Sequence, residues 1–305
     1  MTNGISPLLT LNNGVAMPAF GLGVFQSTPE ETVKAVEAAI GVGYRMIDTA
    51  AAYFNEREVG EGIRRSGIDR AELFVQTKLW MSDYGYERTL RAFDASLQRL
   101  GLEYVDLYLL HWPVPSDFAR TVDSYRAAEG LLAEGRALAI GVCNFSPDNL
   151  EDLLARTSVV PAVNQVELHP YFNQRSVREA DGHLRVVTQS WSPLGGVNVY
   201  AHGEGQGRHL LEDPTIQRLA TQYGKTAAQV VLRWHIEHGL SVIPKSVRRE
   251  RIAENFGVFD FALSPTNLVE IDALDTGMRG GPDPQAVHPA MFPISVEGHY
   301  AQEPR

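Results

Sequence analysis

The sequence predicts an α/β fold, a (β/α)8 barrel, and three observations carry that expectation. Eight strand-like segments alternate with helical patterns along the chain. Several of those segments are continuous apolar runs, the pattern of strands buried on both faces. The length, 305 residues, suits eight β-α units. A doubly wound sheet is the alternative topology. No shift in composition marks a domain boundary, so a single domain over residues 1–305 is expected.

The chain opens on a hairpin within residues 1–18. Leu8-Leu9-Thr10-Leu11 and Val15-Ala16-Met17 flank Asn12-Asn13-Gly14, a tight-turn sequence. Strands are expected to begin near Ala19, Tyr44, Leu73, Val105, Ala137, Val159, Arg185 and Ser241. Thr28-Pro29-Glu30-Glu31 reads as a capping box with Pro at the first helical position, and Val33, Val36 and Ile40 follow on one face. Ser146-Pro147, Asp213-Pro214 and Ser264-Pro265 are three further helix starts of the same kind. Leu90, Phe93, Leu97 and Leu100 form one stripe, and Gly101 ends that helix. Two segments break the alternation. Gly195 to Leu210 is a loop longer than a usual βα connection. The tail over residues 276–305, rich in Gly, Pro and His, is expected to run over the active-site end of the barrel without adding an element.

Composition narrows the function. A net charge of -10 argues against a nucleic-acid surface. The single cysteine, Cys143, excludes an intramolecular disulfide and fits a reducing compartment. The N-terminus lacks the basic and apolar regions of a signal peptide, and no apolar run reaches the roughly 18 residues a bilayer span needs. A cytoplasmic, monomeric protein with no membrane partner is expected. His202 and His209 lack partners at zinc spacing, so no metal site is expected. Gly203-Glu204-Gly205-Gln206-Gly207 has the wrong spacing for a dinucleotide fingerprint. Gly224-Lys225-Thr226 resembles the end of a phosphate loop, but Leu219 stands where its first Gly belongs.

The chemistry lies at the strand ends. Asp48 closes the apolar run from Tyr44, Lys78 the run from Leu73, and His111 the run from Val105; Tyr53 follows the first of these by one short loop. The C-terminal edge of a parallel sheet or barrel is where such folds do chemistry. A Tyr near a Lys, with an Asp to hold the Lys and a His beside them, makes a proton donor for a carbonyl oxygen. The nearby ammonium is expected to lower the phenol's pKa from about 10. Asn144, Gln165, Trp191 and Lys245 close the last four strands. Singly, each is more readily a turn, ladder or packing residue, and an ion pair with two bystanders is the bland account of the first four. A polar or aromatic group at nearly every strand end is harder to explain by packing.

Five segments carry a resemblance. Gly43 through Glu56, Leu100 through Pro113 and Ile243 through Ile252 resemble the three signatures of the aldo-keto reductases; Gly141 to Ser146 and Asn164 to Pro170 match further blocks. The resemblance runs from the hairpin to about Phe261. It implies a nicotinamide-dependent carbonyl reductase with Asp48, Tyr53, Lys78 and His111 as its catalytic tetrad and Tyr53 as general acid. It places Trp191 against the nicotinamide ring, Asn144 and Gln165 on its carboxamide, and further cofactor contacts at Ser192, Leu194, Val247 and Asn255. Many relatives have Ser where this chain has Cys143. Lys245, Ser246, Arg248 and Arg251 suit an adenosine 2'-phosphate, since basic residues at a helix start otherwise oppose its dipole. NADP(H) is therefore expected over NAD(H). Phe25, Phe54, Trp80 and Trp112 are expected to wall the substrate cleft, Phe25 standing where many relatives carry Trp. The tail segment Arg279-Gly280-Gly281-Pro282-Asp283-Pro284 resembles bacterial 2,5-diketo-D-gluconate reductase-type enzymes, which implies small dicarbonyls or keto-sugar acids as substrates. The alternative is a nicotinamide-binding redox sensor or partner subunit with little turnover.

Overall fold

A hairpin, β1 (Leu8–Thr10) and β2 (Ala16–Pro18), precedes eight parallel strands paired in chain order: β3 (Leu22–Gly23), β4 (Met46–Asp48), β5 (Phe74–Leu79), β6 (Leu107–Leu110), β7 (Ile140–Cys143), β8 (Val163–Glu167), β9 (Val187–Trp191) and β10 (Ser241–Val242). The computed structural model describes residues 6–196 and 209–301. Residues 197–208 of the expected long loop, His202 and the Gly203–Gly207 segment among them, lie outside the described residues. The sheet closes on itself. The Val242 amide donates to Ala19 and the Gly21 amide to Val242, at 2.8 and 2.9 Å, with parallel bridges Phe20 to Val242 and Gly23 to Lys245. This is the expected barrel, with its first and last strands reduced to two residues each.

The helices are α1 (Pro29–Val42), α2 (Glu56–Ser66), α3 (Tyr86–Leu100), α4 (Phe118–Ala133), α5 (Pro147–Leu154), α6 (Arg175–Leu184), α7 (Pro214–Tyr223), α8 (Ala227–Glu237), α9 (Arg249–Phe256), α10 (Pro265–Asp272) and a short α11 (Val296–Tyr300). The expected caps form. Thr28 and Glu31 make a reciprocal capping box on α1, as do Ser146 and Asn149 on α5. Each such cap contributes about 0.5–2 kcal/mol. Helix α8 escapes a reading that looks for cap-then-Pro; its start is Thr226 with Gln229, and the segment resembling a phosphate loop is this capping box. The tail departs from expectation in adding α11, though most of it is extended over the barrel.

The N-terminal end of the barrel is plugged. Leu11 and Met17 of the hairpin share one buried cluster with Met46, Phe74 and Leu107, the first residues of their strands. Fully burying each such side chain is worth roughly 1.5–3 kcal/mol. Outside the sheet, Tyr44 stacks on Phe256 at 4.6 Å and donates its hydroxyl to the Ile252 carbonyl. That contact pins α9 beside β4 and so fixes where the start of α9 sits.

Candidate active site

Strand geometry delivers the cluster. Asp48 ends β4 and pairs in register with Gln76 of β5; Lys78 lies two residues further on, on the same face as Gln76. From there the Lys78 side chain reaches back: its Nζ donates to Asp48 Oδ1 at 2.6 Å, to the Thr49 carbonyl at 2.9 Å and to the Tyr53 hydroxyl at 3.2 Å. Tyr53 ends a single 3-10 turn, Ala51–Tyr53, which Phe54 closes in the left-handed region at φ 58°. The His111 ring lies edge-on to the Tyr53 ring, centroids 5.7 Å apart, and its Nδ1 is buried with no hydrogen-bond partner among the described residues. The three strand-end residues and Tyr53 are thus brought together.

Asp48 and Lys78 are buried. Asp48 Oδ1 also accepts from Gln76 Nε2 at 2.6 Å and from Gln165 Nε2 at 3.0 Å. Gln76 and Gln165 both donate to Gln189 Oε1, and Gln189 donates to Ser241 Oγ. A polar network therefore fills the barrel beneath the cluster and satisfies a charge that would otherwise be costly to bury. Its members Gln76 and Gln189 escaped the sequence reading. Their signal is the two-residue period, which puts Gln76 on the Lys78 face of β5 and Gln189 on the Trp191 face of β9.

The electrostatics correct one expectation. Burial pushes the Tyr53 phenol up to about 12; the Lys78 ammonium opposes this without overcoming it. The phenol is thereby kept in its protonated form. Burial disfavours the Lys78 ammonium, but Asp48 and then Tyr53 outweigh it and hold the proton more firmly than in a free lysine. Burial, then the Lys78 charge, drives His111 well below its ordinary value, so its imidazole is neutral. Burial pushes the Cys143 thiol up, which makes it a poor nucleophile.

The expected cofactor residues divide. Trp191 Nε1 donates to Asn144 Oδ1 at 2.8 Å, while Asn144 Nδ2 donates to the His111 carbonyl at 3.0 Å. Asn144 and Ser192 both hold left-handed backbone, φ 65° and 47°. Gln165 faces the barrel interior with its amide nitrogen committed to Asp48 and Gln189, which leaves its carbonyl oxygen as the free end. Leu194 packs beside the core. Lys245, Arg248 and Arg251 are exposed around the first turn of α9, and none has a carboxylate within ion-pair distance among the described residues. No side chain caps α9, Arg248 itself occupying the cap position. Ser246 Oγ accepts from the Arg248 amide at 3.2 Å; Val247 is half-buried and Asn255 buried. Free N-terminal amides and unpaired guanidinium forks fit an anion with several oxygens.

Aromatic rings wall the other side. Phe25 is 46% exposed, with its ring 5.0 Å from that of Tyr53. The Trp80 ring lies 5.1 Å from His111 and its Nε1 donates to the Ile294 carbonyl. Phe292 packs on both Trp80 and Trp112, and His299 stacks on Phe54 at 3.8 Å. The tail does cover this end of the barrel. A cavity of ≈ 500 Å³ lies elsewhere, beside α6 and the turn into β10. It contains none of these groups and is not the candidate site.

The family profile described as the Aldo/keto reductase family matches residues 17–276. The chain is 57% identical over 291 residues to morphine 6-dehydrogenase of Pseudomonas putida, covering 95% of this chain and 98% of that protein. It is 46% identical over 277 residues to methylglyoxal reductase DkgA of Escherichia coli, covering 91% and 96%. Among solved structures, a Bombyx mori aldo-keto reductase in complex with NADP superposes with a TM-score of 0.85 at 33% identity, covering 91% of this chain and 95% of that one.

Proposed function

Because the chain belongs to the aldo/keto reductase family, we propose that it reduces small aldehydes, ketones, dicarbonyls or keto-sugar acids to alcohols, with Tyr53 as the proton donor. The chain is an oxidoreductase, and its cofactor is NADP(H). When bound, the cofactor supplies the hydride for the carbonyl carbon. The charge that develops on the carbonyl oxygen is met by this chain's own groups. Tyr53 gives its hydroxyl proton to that oxygen. Lys78 stabilises the phenolate left behind, and Asp48, held by Gln76 and Gln165, keeps the ammonium charged and in place. His111, neutral, donates a hydrogen bond to the carbonyl oxygen and orients it. Trp191 supports the nicotinamide ring. Lys245, Ser246, Arg248 and Arg251 bind the 2'-phosphate at the uncapped start of α9. Phe25, Phe54, Trp80 and Trp112 give the substrate an apolar cleft.

The observation that carries this reading is the Lys78 Nζ placed 3.2 Å from the Tyr53 hydroxyl. The relatives named for morphine and methylglyoxal point to carbonyls of very different size, so the substrate is left at the level of class. The test is NADPH consumption with a panel of methylglyoxal, aromatic aldehydes, ketones and keto-sugar acids. Turnover of several panel members is expected; tight NADPH binding with no turnover across the panel would contradict the proposal.

A further inference from the structure

We infer that Glu167 is a positioning residue for the cofactor: it straps the tail against the indole of Trp191 and so fixes the surface on which the nicotinamide ring rests. This deepens the proposed function, since it takes from that reading the role of Trp191.

Glu167 ends β8 and pairs in register with Trp191 at the end of β9. Its carboxylate is buried, yet no Lys or Arg pairs with it among the described residues. A buried carboxylate in that situation needs hydrogen-bond donors to replace its lost hydration. It finds them in the tail. The Gly280 amide donates to Oε1 at 2.6 Å and the Gly281 amide to Oε2 at 2.9 Å. His169 Nε2 lies 3.1 Å from Oε1. Two successive main-chain amides on one carboxylate form a clamp that requires no tail side chain.

The clamp is tied on either side. Upstream, Thr276 donates its amide and hydroxyl to the Tyr171 carbonyl at 3.0 and 2.9 Å. Downstream, Gln285 Nε2 donates to Ser146 Oγ and Asn149 Oδ1 at the start of α5. Residues 276–285 therefore cross the exits of β7 and β8 held by hydrogen bonds at three points.

What the strap presses on is specific. A Cβ added at Gly281 would stand 2.6 Å from Trp191 Cη2 and 3.1 Å from Glu167 Oε2. Only glycine permits so close an approach. The indole is thus gripped at both ends, by Asn144 on its Nε1 and by Gly281 on its six-membered ring. Free of that second contact, the ring loses the backing on its six-membered side and keeps the Asn144 hydrogen bond and its packing on the barrel cluster.

The test uses the full chain carrying 5-fluorotryptophan, with the Trp191 signal assigned by W191F. In E167Q and G281A, the 19F resonance of residue 191 in the cofactor-free protein is expected to shift or broaden. The NADPH dissociation constant is expected to rise about tenfold as the Trp191 surface loses its preorganisation. The fluorine signal of Trp234, fully buried with its Nε1 donating to Asp272, should hold its position, which a general loosening of the fold would not allow. Unchanged Trp191 resonance and unchanged NADPH affinity in both variants would overturn the inference. The underlying reading is checked separately by W191A: if that variant binds NADPH as tightly as wild type, Trp191 is not the ring's support. If W191A weakens binding while E167Q and G281A do not, only the role of Glu167 fails.

Discussion

The Lys78 ammonium donates to the Tyr53 hydroxyl oxygen across 3.2 Å while its shortest contact, 2.6 Å, goes to Asp48. A cation so held gives little in the ground state, because the phenol it faces is neutral. Its Coulombic attraction grows when Tyr53 loses its proton, which is when a reductase needs it.

The pH profile follows from these groups. A phenol pushed up to about 12 is protonated across the neutral range. Carbonyl reduction uses the protonated form, so its rate should be flat from pH 6 to 9 and fall only in strong base. Alcohol oxidation uses the phenolate and should rise with pH over the same interval. His111, held well below its ordinary value, should add no limb near pH 6.5. Steady-state rates in both directions check this; a reduction rate that halves near neutral pH would contradict it.

Asp48→Asn leaves the fully buried Lys78 ammonium without its counter-charge. Breaking a buried pair in this way costs about 3–5 kcal/mol. Urea titration should show a loss of that order. The double variant D48N/K78M, which removes both charges, should recover part of it. Simple additivity of the two single losses would argue that the pair is not coupled.

Arg251→Ala removes one of four exposed cations, Lys245, Arg248, Arg249 and Arg251, around an uncapped helix start. It should weaken NADPH by roughly tenfold or more, the scale of one charge-assisted hydrogen bond. NADH, lacking the 2'-phosphate, should be affected little, and the preference should shrink with added salt. Equal losses for the two cofactors would remove Arg251 from the phosphate site.

Much of the fold was legible because it rests on local signals. The caps at Thr28, Ser146, Asp213 and Ser264 and the apolar runs ending in Asp48, Lys78 and His111 act over a few residues. The clustering of those ends follows from a barrel, which brings every strand terminus to one rim. What depends on distant partners was not legible. The Gln76, Gln165 and Gln189 network joins three strands across the barrel; the two-residue period sets the face of each glutamine, but their pairing depends on strands far apart in the chain. The elevated Tyr53 pKa reflects the desolvation of a half-buried phenol, which pairing rules leave out. Glu167 read as part of a motif; its link to Gly280 and Gly281 spans more than a hundred residues of chain.

The central claim is that the Tyr53 hydroxyl supplies the proton, and Tyr53→Phe tests it most directly because only that oxygen is removed. Single-turnover reduction of a small aldehyde by the NADPH-loaded variant should slow by about 10²–10⁴-fold, the usual worth of a positioned acid, with the NADPH dissociation constant unchanged. A Tyr53→Phe protein that reduces the aldehyde at the wild-type rate would contradict the account.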